Sequence, residues 1–277
     1  MTDVALTHGS ALLEIVQRGI RVLDLGRPYQ QGMPQSPNHP AYTHTLPRRH
    51  GDMVRSDGGS AANDLISFGT HVGTHIDALA HVSQDGKLYG GHSAADEQVG
   101  GRFMRGGIHE VPPMVCRGVL LDIPRLHGWA ACPPAYEITV TDLEAAAAAQ
   151  KIAIGAGDVV LIRSGWAQRW DDREAYIGAA TGVPGISEAG ALWLASQKIR
   201  AVGADTIAFE YLAEGAGHSR LPAHRVLLVE NGINIIETMN LEQLSEENHG
   251  EFTFVVSPLN LVGATGSPVR PLALVEA

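Results

Sequence analysis

Hydrophobic residues in this chain fall into short runs separated by polar and glycine-rich stretches, and the runs alternate between strand-like and helix-like patterns. Gly157-Asp-Val-Val-Leu-Ile-Arg has an apolar run that does not alternate, which predicts a strand buried on both faces. Arg21-Val-Leu-Asp-Leu-Gly, Asp64 to Phe68, Gly118-Val-Leu-Leu-Asp-Ile and the stretch opening at Arg200 predict further strands. Helices are expected over Ser10 to Arg18 with Ser10 as cap, and over Thr141 to Gln150 with Thr139 or Thr141 as cap. The alanine run after Glu144 favours the second of these. A third helix is expected over Ser187 to Lys198, with Ser187 as cap and Glu188 in its first turn.

Between these elements, residues 27–50 are rich in Pro, Gly, Gln and His and read as loop, the kind of segment that holds substrate-contacting residues. His39, His44 and His50 lie there and read as surface or pocket-lining residues rather than metal ligands. Asp85-Gly86-Lys87 reads as a turn, and the glycine pairs of residues 88–113 predict a long covering loop with brief regular structure. Residues 222–241 allow two readings. One is a hairpin about Asn231-Gly232; the other is a helix starting at Pro222, stopped by Gly232 and followed by a strand from Ile233. Pro222 favours the second. The αβ alternation, with no linker and no internal repeat, points to a single mixed α/β domain over residues 1–277.

One stretch breaks the pattern. Residues 69–81 read Gly-Thr-His-Val-Gly-Thr-His-Ile-Asp-Ala-Leu-Ala-His and place His71, His75, Asp77 and His81 close together among small side chains. Imidazoles and a carboxylate are the ligands of a borderline cation such as Zn²⁺, or a harder one such as Mn²⁺. One helix would scatter the four groups around its axis. A straight strand keeps them on one face but holds His71 and His75 about 13 Å apart at roughly 3.3 Å per residue, too far to share an ion. The chain must bend, and Gly73 is the residue able to take the bulge or left-handed geometry. We expect a strand end, a kink carrying His71, His75 and Asp77 to the metal, and His81 one helical turn beyond. His81 is then either a further ligand or a proton-transfer group.

Charge and composition narrow the classes. A formal charge of −10 with no basic run argues against nucleic acid and against anionic membranes. No apolar run is long enough to span a bilayer, and Met-Thr-Asp-Val-Ala-Leu-Thr-His has neither the basic head nor the apolar core of a signal peptide. Cys116 and Cys132, without a Cys-x-x-Cys pair, are expected to be reduced thiols in a cytoplasmic protein. There is no Gly-x-Ser-x-Gly elbow and no nucleotide-binding glycine motif after a strand.

The 69–81 stretch resembles the His-x-Gly-Thr-His-x-Asp-x-Pro-x-His signature of the cyclase family, which includes bacterial kynurenine formamidases, isatin hydrolases and related lactam-opening enzymes. It departs at Leu79, where the usual pattern has proline. The resemblance implies the swivelling β/β/α fold of that family, and homodimers or higher homo-oligomers. It also implies that His224 and Glu237 are ligands of a second metal site bridged by Asp77. The residues alone leave these two open between a structural and a ligand role. Gly203-Ala-Asp205 also resembles a family segment, in which Glu210 takes the place of a later Asp.

The chemistry expected is that of one or two divalent ions, Zn²⁺ or Mn²⁺, held by His71, His75 and Asp77, with a bound hydroxide as nucleophile and His81 as general base, then acid. The resemblance implies a small aromatic or cyclic amide as substrate. Opening an isatin-like ring or lactam is the first expectation, removal of an N-formyl group the second. A non-catalytic metal-binding protein with a closed coordination shell is the alternative from a different class.

Overall fold

The computed structural model describes residues 11–277, so the expected cap Ser10 lies outside the described residues. A nine-stranded mixed sheet runs through the molecule. In chain order its strands are β1 (Ile20–Asp24), β2 (His75–Asp77), β3 (Met114–Asp122), β4 (Val159–Arg163), β5 (Ala201–Ala204), β6 (Asn234–Glu237), β7 (Glu251–Val256), β8 (Gly266–Pro268) and β9 (Leu272–Glu276). Their spatial order is β1-β9-β7-β3-β4-β5-β6-β2-β8. The four middle strands, β3 to β6, are mutually parallel, while every pairing outside them is antiparallel.

The middle strands are covered on both faces, which is why their apolar runs do not alternate. Val160 and Ile162 of β4 point into one core with Leu143 and Ala146 of the helix Val140–Gln150 and Leu194 of the helix Glu188–Ser196. Val159 and Leu161, one residue out of step, point into a second core with Ile76, Ile236 and Phe254. Each large aliphatic side chain buried this way contributes about 1.5–3 kcal/mol. A third, smaller cluster of Met33, Val72, Trp166, Trp170 and Tyr176 packs behind the 69–74 segment.

The strands expected near residues 21, 64, 118, 157 and 200 all form, with ends shifted by a few residues. The helix expected near Thr141 starts at Val140, and Thr139 is its cap. The Thr139 hydroxyl accepts from the Asp142 N–H while the Asp142 carboxylate accepts from the Thr139 N–H, a reciprocal capping box. Ser187 caps the next helix by accepting from the Gly190 N–H. Pro222 opens a helical segment that continues as a π-turn over Arg225–Glu230, and Gly232, at φ +67°, precedes β6. The helix-then-strand reading of residues 222–241 therefore holds. Among the described residues no helix is long and apolar enough to cross a membrane, and both cysteines are free.

Two expectations are corrected. Residues 27–50 are not all loop: Thr43–Arg48 pairs with Asn63–Ser67 in an exposed two-stranded ribbon. Pro47 and the flanking histidines hide a strand whose pairing is set by a partner about twenty residues on. Secondly, Asp77 to His81 is not a helical turn. Residues 75–77 join the sheet, and the His81 N–H closes a turn on the Ala78 carbonyl.

Replacing Thr139 by Ala removes the hydroxyl half of the capping box, the acceptor for the Asp142 N–H, and leaves the backbone half in place. We expect a stability loss of about 1 kcal/mol, read as a lower denaturation midpoint at unchanged m-value, and recovery of most of it with Thr139→Ser.

Candidate metal centre and comparison with known proteins

Strand β2 is short but sits between β6 and β8, and its alternation sorts chemistry from core. Ile76 points into the second apolar core, while His75 and Asp77 point the other way and are buried. Across the ladder Glu237 stands directly opposite His75, which puts its carboxylate on the same face. The chain reaches β2 through the expected bend at Gly73, whose φ is +68°. The bend also allows close approach, because a Cβ on Gly73 would lie 2.7 Å from the Tyr29 ring. Tyr29 in turn donates its hydroxyl to the Thr74 carbonyl.

Three of the four imidazoles around this strand, those of His71, His75 and His224, are held by hydrogen-bond partners. His75 Nδ1 donates to the Gly73 carbonyl at 2.8 Å, leaving Nε2 3.5 Å from an oxygen of Asp77 and 3.5 Å from one of Glu237. His224 Nδ1 is 2.6 Å from Glu210 Oε1, and its Nε2 faces Glu237 Oε1 at 3.2 Å and Asp77 Oδ2 at 3.6 Å. His71 lies between Asp77 Oδ1 at 2.7 Å and the Thr265 hydroxyl at 2.9 Å. His81 stacks on His71 with ring centroids 3.7 Å apart.

The result is two groups whose donor atoms lie within 4.8 Å of one another: His71, Asp77 and His81, and Asp77, His224 and Glu237. Asp77 belongs to both. His75 adds its Nε2 beside the two carboxylates. The decisive feature is that Asp77 Oδ2 and Glu237 Oε1 are buried with no hydrogen-bond partner. Buried carboxylate oxygens facing imidazole lone pairs are costly unless a cation sits among them. The donor set, nitrogen and oxygen without sulfur, suits Zn²⁺ and Mn²⁺ alike. Histidines locked by a carboxylate or carbonyl on their outer nitrogen are the usual support of such sites.

The electrostatics agree with that reading. Burial, the largest influence, pushes His75 down to about 4 and His81 down to about 3, so both imidazoles are neutral donors at pH 7. Burial also pushes Glu237 up to about 7, helped by the Asp77 charge. Burial opposes a charge on Asp77 as well, but the surrounding histidines outweigh it and hold its carboxyl well below the usual range. For His224 the carboxylates of Asp77, Glu210 and Glu237 overcome burial and raise it well above its ordinary value.

All six residues expected from the sequence thus meet at one place, although His224 and Glu237 come from far along the chain. The fit of Glu210 was visible only as a resemblance to a family segment. Its carboxylate is fully buried, accepts from the Ala223 and His224 N–H groups at 3.1 Å each, and so holds the helix start and the His224 ring together. Thr265, 194 residues from His71, carries no local signal at all. The long covering loop expected over residues 88–113 does not line the site cavity. That cavity, of about 220 Å³, is lined beyond the donor groups by residues from 36–39, 207–208 and 218–221, and by none from 88–113. A larger groove of about 770 Å³, lined by Arg27, Leu259 and Arg270 among others, has no convergent donors.

Two substitutions test the support of the donors. Gly266 faces His71 so closely that a Cβ there would lie 2.6 Å from its ring and 3.0 Å from the Ile76 carbonyl. Gly266→Ala is expected to displace His71 and lower the bound metal per chain, measured by elemental analysis after dialysis. Glu210→Ala frees the His224 ring, and we expect about 10- to 100-fold weaker metal binding in a chelator competition, with circular dichroism unchanged.

Comparison with known proteins is consistent with this geometry. Residues 23–211 match the Cyclase family model. An isatin hydrolase from Roseibium aggregatum is 28% identical over 226 residues, covering 79% of this chain and 77% of that protein. The crystal structure of a novel cyclase superposes with a TM-score of 0.82 at 30% identity, covering 91% of this chain and 88% of the other. Isatin hydrolase A from Ralstonia solanacearum superposes with a TM-score of 0.75 at 23% identity over 98% of this chain and 99% of its own. With the sheet, the donor groups and the family match in agreement, the chain belongs to the cyclase family.

Proposed function

We propose that this protein is a metal-dependent hydrolase that opens the C–N bond of a small cyclic amide, an isatin-like ring or a lactam. The observation that carries the reading is the pair of donor groups sharing Asp77 at the floor of a cavity that also admits the His81 ring. The 28% identity to an isatin hydrolase supports the C–N bond as the target. A purely structural ion would call for a closed shell, whereas here the donors border open space.

In this reading His71, His75 and Asp77 hold one divalent cation, and Asp77, His224 and Glu237 offer a place for a second. When bound, such an ion polarises a carbonyl and makes water a better nucleophile near neutral pH. The residues of the chain do the rest. Gly73 and Glu210 hold the outer Nδ1 of His75 and His224, so that their Nε2 atoms face the carboxylates, and a bound cation would take the place of the proton those carboxylates favour on His224. His81 is neutral because burial disfavours its imidazolium. It takes a proton from the attacking water as the C–O bond forms. It then gives that proton to the leaving nitrogen as the C–N bond breaks. The products are a carboxylate and the freed amine of the opened ring.

The test is turnover of isatin, a bicyclic γ-lactam and N-formylkynurenine by metal-replete protein, beside a chelator-treated sample and a His81→Ala variant. Ring opening is expected only in the metal-replete wild type, with His81→Ala lowering kcat by about 10²- to 10⁴-fold while metal content stays unchanged. Faster cleavage of the formyl compound would assign the protein as a formamidase instead. Loss of metal from His81→Ala would move His81 from proton transfer to the coordination shell.

A further inference from the structure

The cavity above the donor groups has a second wall that the hydrolytic chemistry does not use. Two loops from distant parts of the chain form it, residues 36–39 and the 207–221 segment. Each contributes one histidine, His39 and His218, and both are partly buried. The His39 ring lies 5.5 Å from that of His71, centroid to centroid. Neither His39 nor His218 belongs to a donor group for the metal. Whereas His71, His75 and His224 each have hydrogen-bond partners, the rings of His39 and His218 have none among the described residues. One such histidine is ordinary on a protein surface. Two from separate loops, converging on one small cavity beside a metal centre, are a pair of open hydrogen-bonding positions.

The charge of the cavity limits what can fill it. No Lys or Arg lines it, so any cationic charge lies with the metal at the donor groups and not on the wall that carries His39 and His218. A remote carboxylate on a substrate would therefore enter without a counter-charge, at the desolvation cost of an unpaired ion. A neutral imidazole offers one N–H and one lone pair, which suits an amide N–H or a second carbonyl. Ile207, Ala208 and Leu221 supply apolar contact for a ring face. At about 220 Å³ the space falls below the roughly 300 Å³ at which drug-sized ligand pockets begin.

We propose that His39 and His218 are specificity-determining residues that select a small uncharged cyclic amide over one bearing a charged amino-acid group. This rests on the hydrolase reading above and narrows its substrate class. It places the carbonyl edge of the ligand at the donor groups, its remaining polar edge against the two imidazoles, and its hydrocarbon face on the aliphatic wall.

Binding, not turnover, is the test, so that the two readings can fail separately. The probes are isoindolin-1-one, a neutral bicyclic lactam, and the same ring carrying a carboxylate on its benzene portion, titrated calorimetrically into metal-loaded protein. The neutral lactam is expected to bind about tenfold or more tighter than the carboxylated one. His39→Ala and His218→Ala are each expected to weaken the neutral lactam by about three- to tenfold, the size of one neutral hydrogen bond, with metal content unchanged. His218→Lys is expected to shift preference toward the carboxylated ring by supplying the missing cation. Equal or tighter binding of the carboxylated ring to the wild type overturns the proposal. So does unchanged affinity for the neutral lactam in a folded, metal-loaded His39→Ala/His218→Ala double variant, or failure of both lactams to bind. If the neutral lactam binds as expected and no amide is turned over, recognition stands and the hydrolase reading falls.

Discussion

The organisation of this molecule depends on a local excess of lone pairs. Asp77 Oδ2, Glu237 Oε1 and the inner nitrogen of His224 converge in a buried volume, and the two carboxylate oxygens accept no hydrogen bond. Left so, each costs on the order of 1–3 kcal/mol or more, a large share of what keeps a domain folded. A proton on His224 relieves part of that cost, and the raised titration of His224 is its signature. A divalent cation relieves it fully, because every group facing the point is a donor of electron pairs. Cation binding and stability of this part of the fold are then linked by mass action.

The sheet delivers these groups by register. In the β2–β6 ladder His75 faces Glu237 and Ile76 faces Ile236, so one face carries ligands and the other face carries core. A slip of one residue would turn Ile76 toward the carboxylates and bury His75 and Asp77 in aliphatic surroundings. The apolar core on the far face therefore enforces the geometry of the polar cluster on the near face. Around that arrangement the fixed points are a backbone carbonyl, an outer carboxylate and a hydroxyl: Gly73 behind His75, Glu210 behind His224, Thr265 behind His71. The only ring of the donor groups without such a fixed partner is His81, held by stacking on His71, and it is the one proposed for proton transfer.

The same logic separates the two sides of the cavity. The floor is anchored by the buried His75 and Asp77 of β2 and Glu237 of β6, as a site that must place an ion needs to be. The opposite wall comes from loops, where residues can vary without disturbing the sheet, and that is where the proposed discrimination among amides would act. Segment 88–113 packs elsewhere. Its Tyr89 covers Gly232, and Gly106 sits against Ala80, so it braces the chain leaving the metal motif. Abundant glycine there made it look like a covering loop in sequence, but glycine reports backbone freedom and says nothing of what the loop lies over.

By itself the sequence determined the local features. Uninterrupted aliphatic runs set the buried strands, Thr139 and Ser187 set helix starts, and the spacing of His71, His75 and Asp77 demanded a bend that only Gly73 could supply. These follow from short-range rules in which the responsible residues lie within a few positions of one another. The exposed ribbon at 43–67, the strand rather than helix at 75–77, and the meeting of His224, Glu210 and Glu237 with Asp77 were decided only by tertiary structure. Residues 75–77 follow the sheet because partner strands on both sides satisfy their backbone groups, a gain that local helical spacing cannot match. Ligands more than a hundred residues apart leave no periodicity to read; their convergence exists only once the sheet has chosen its neighbours and its register.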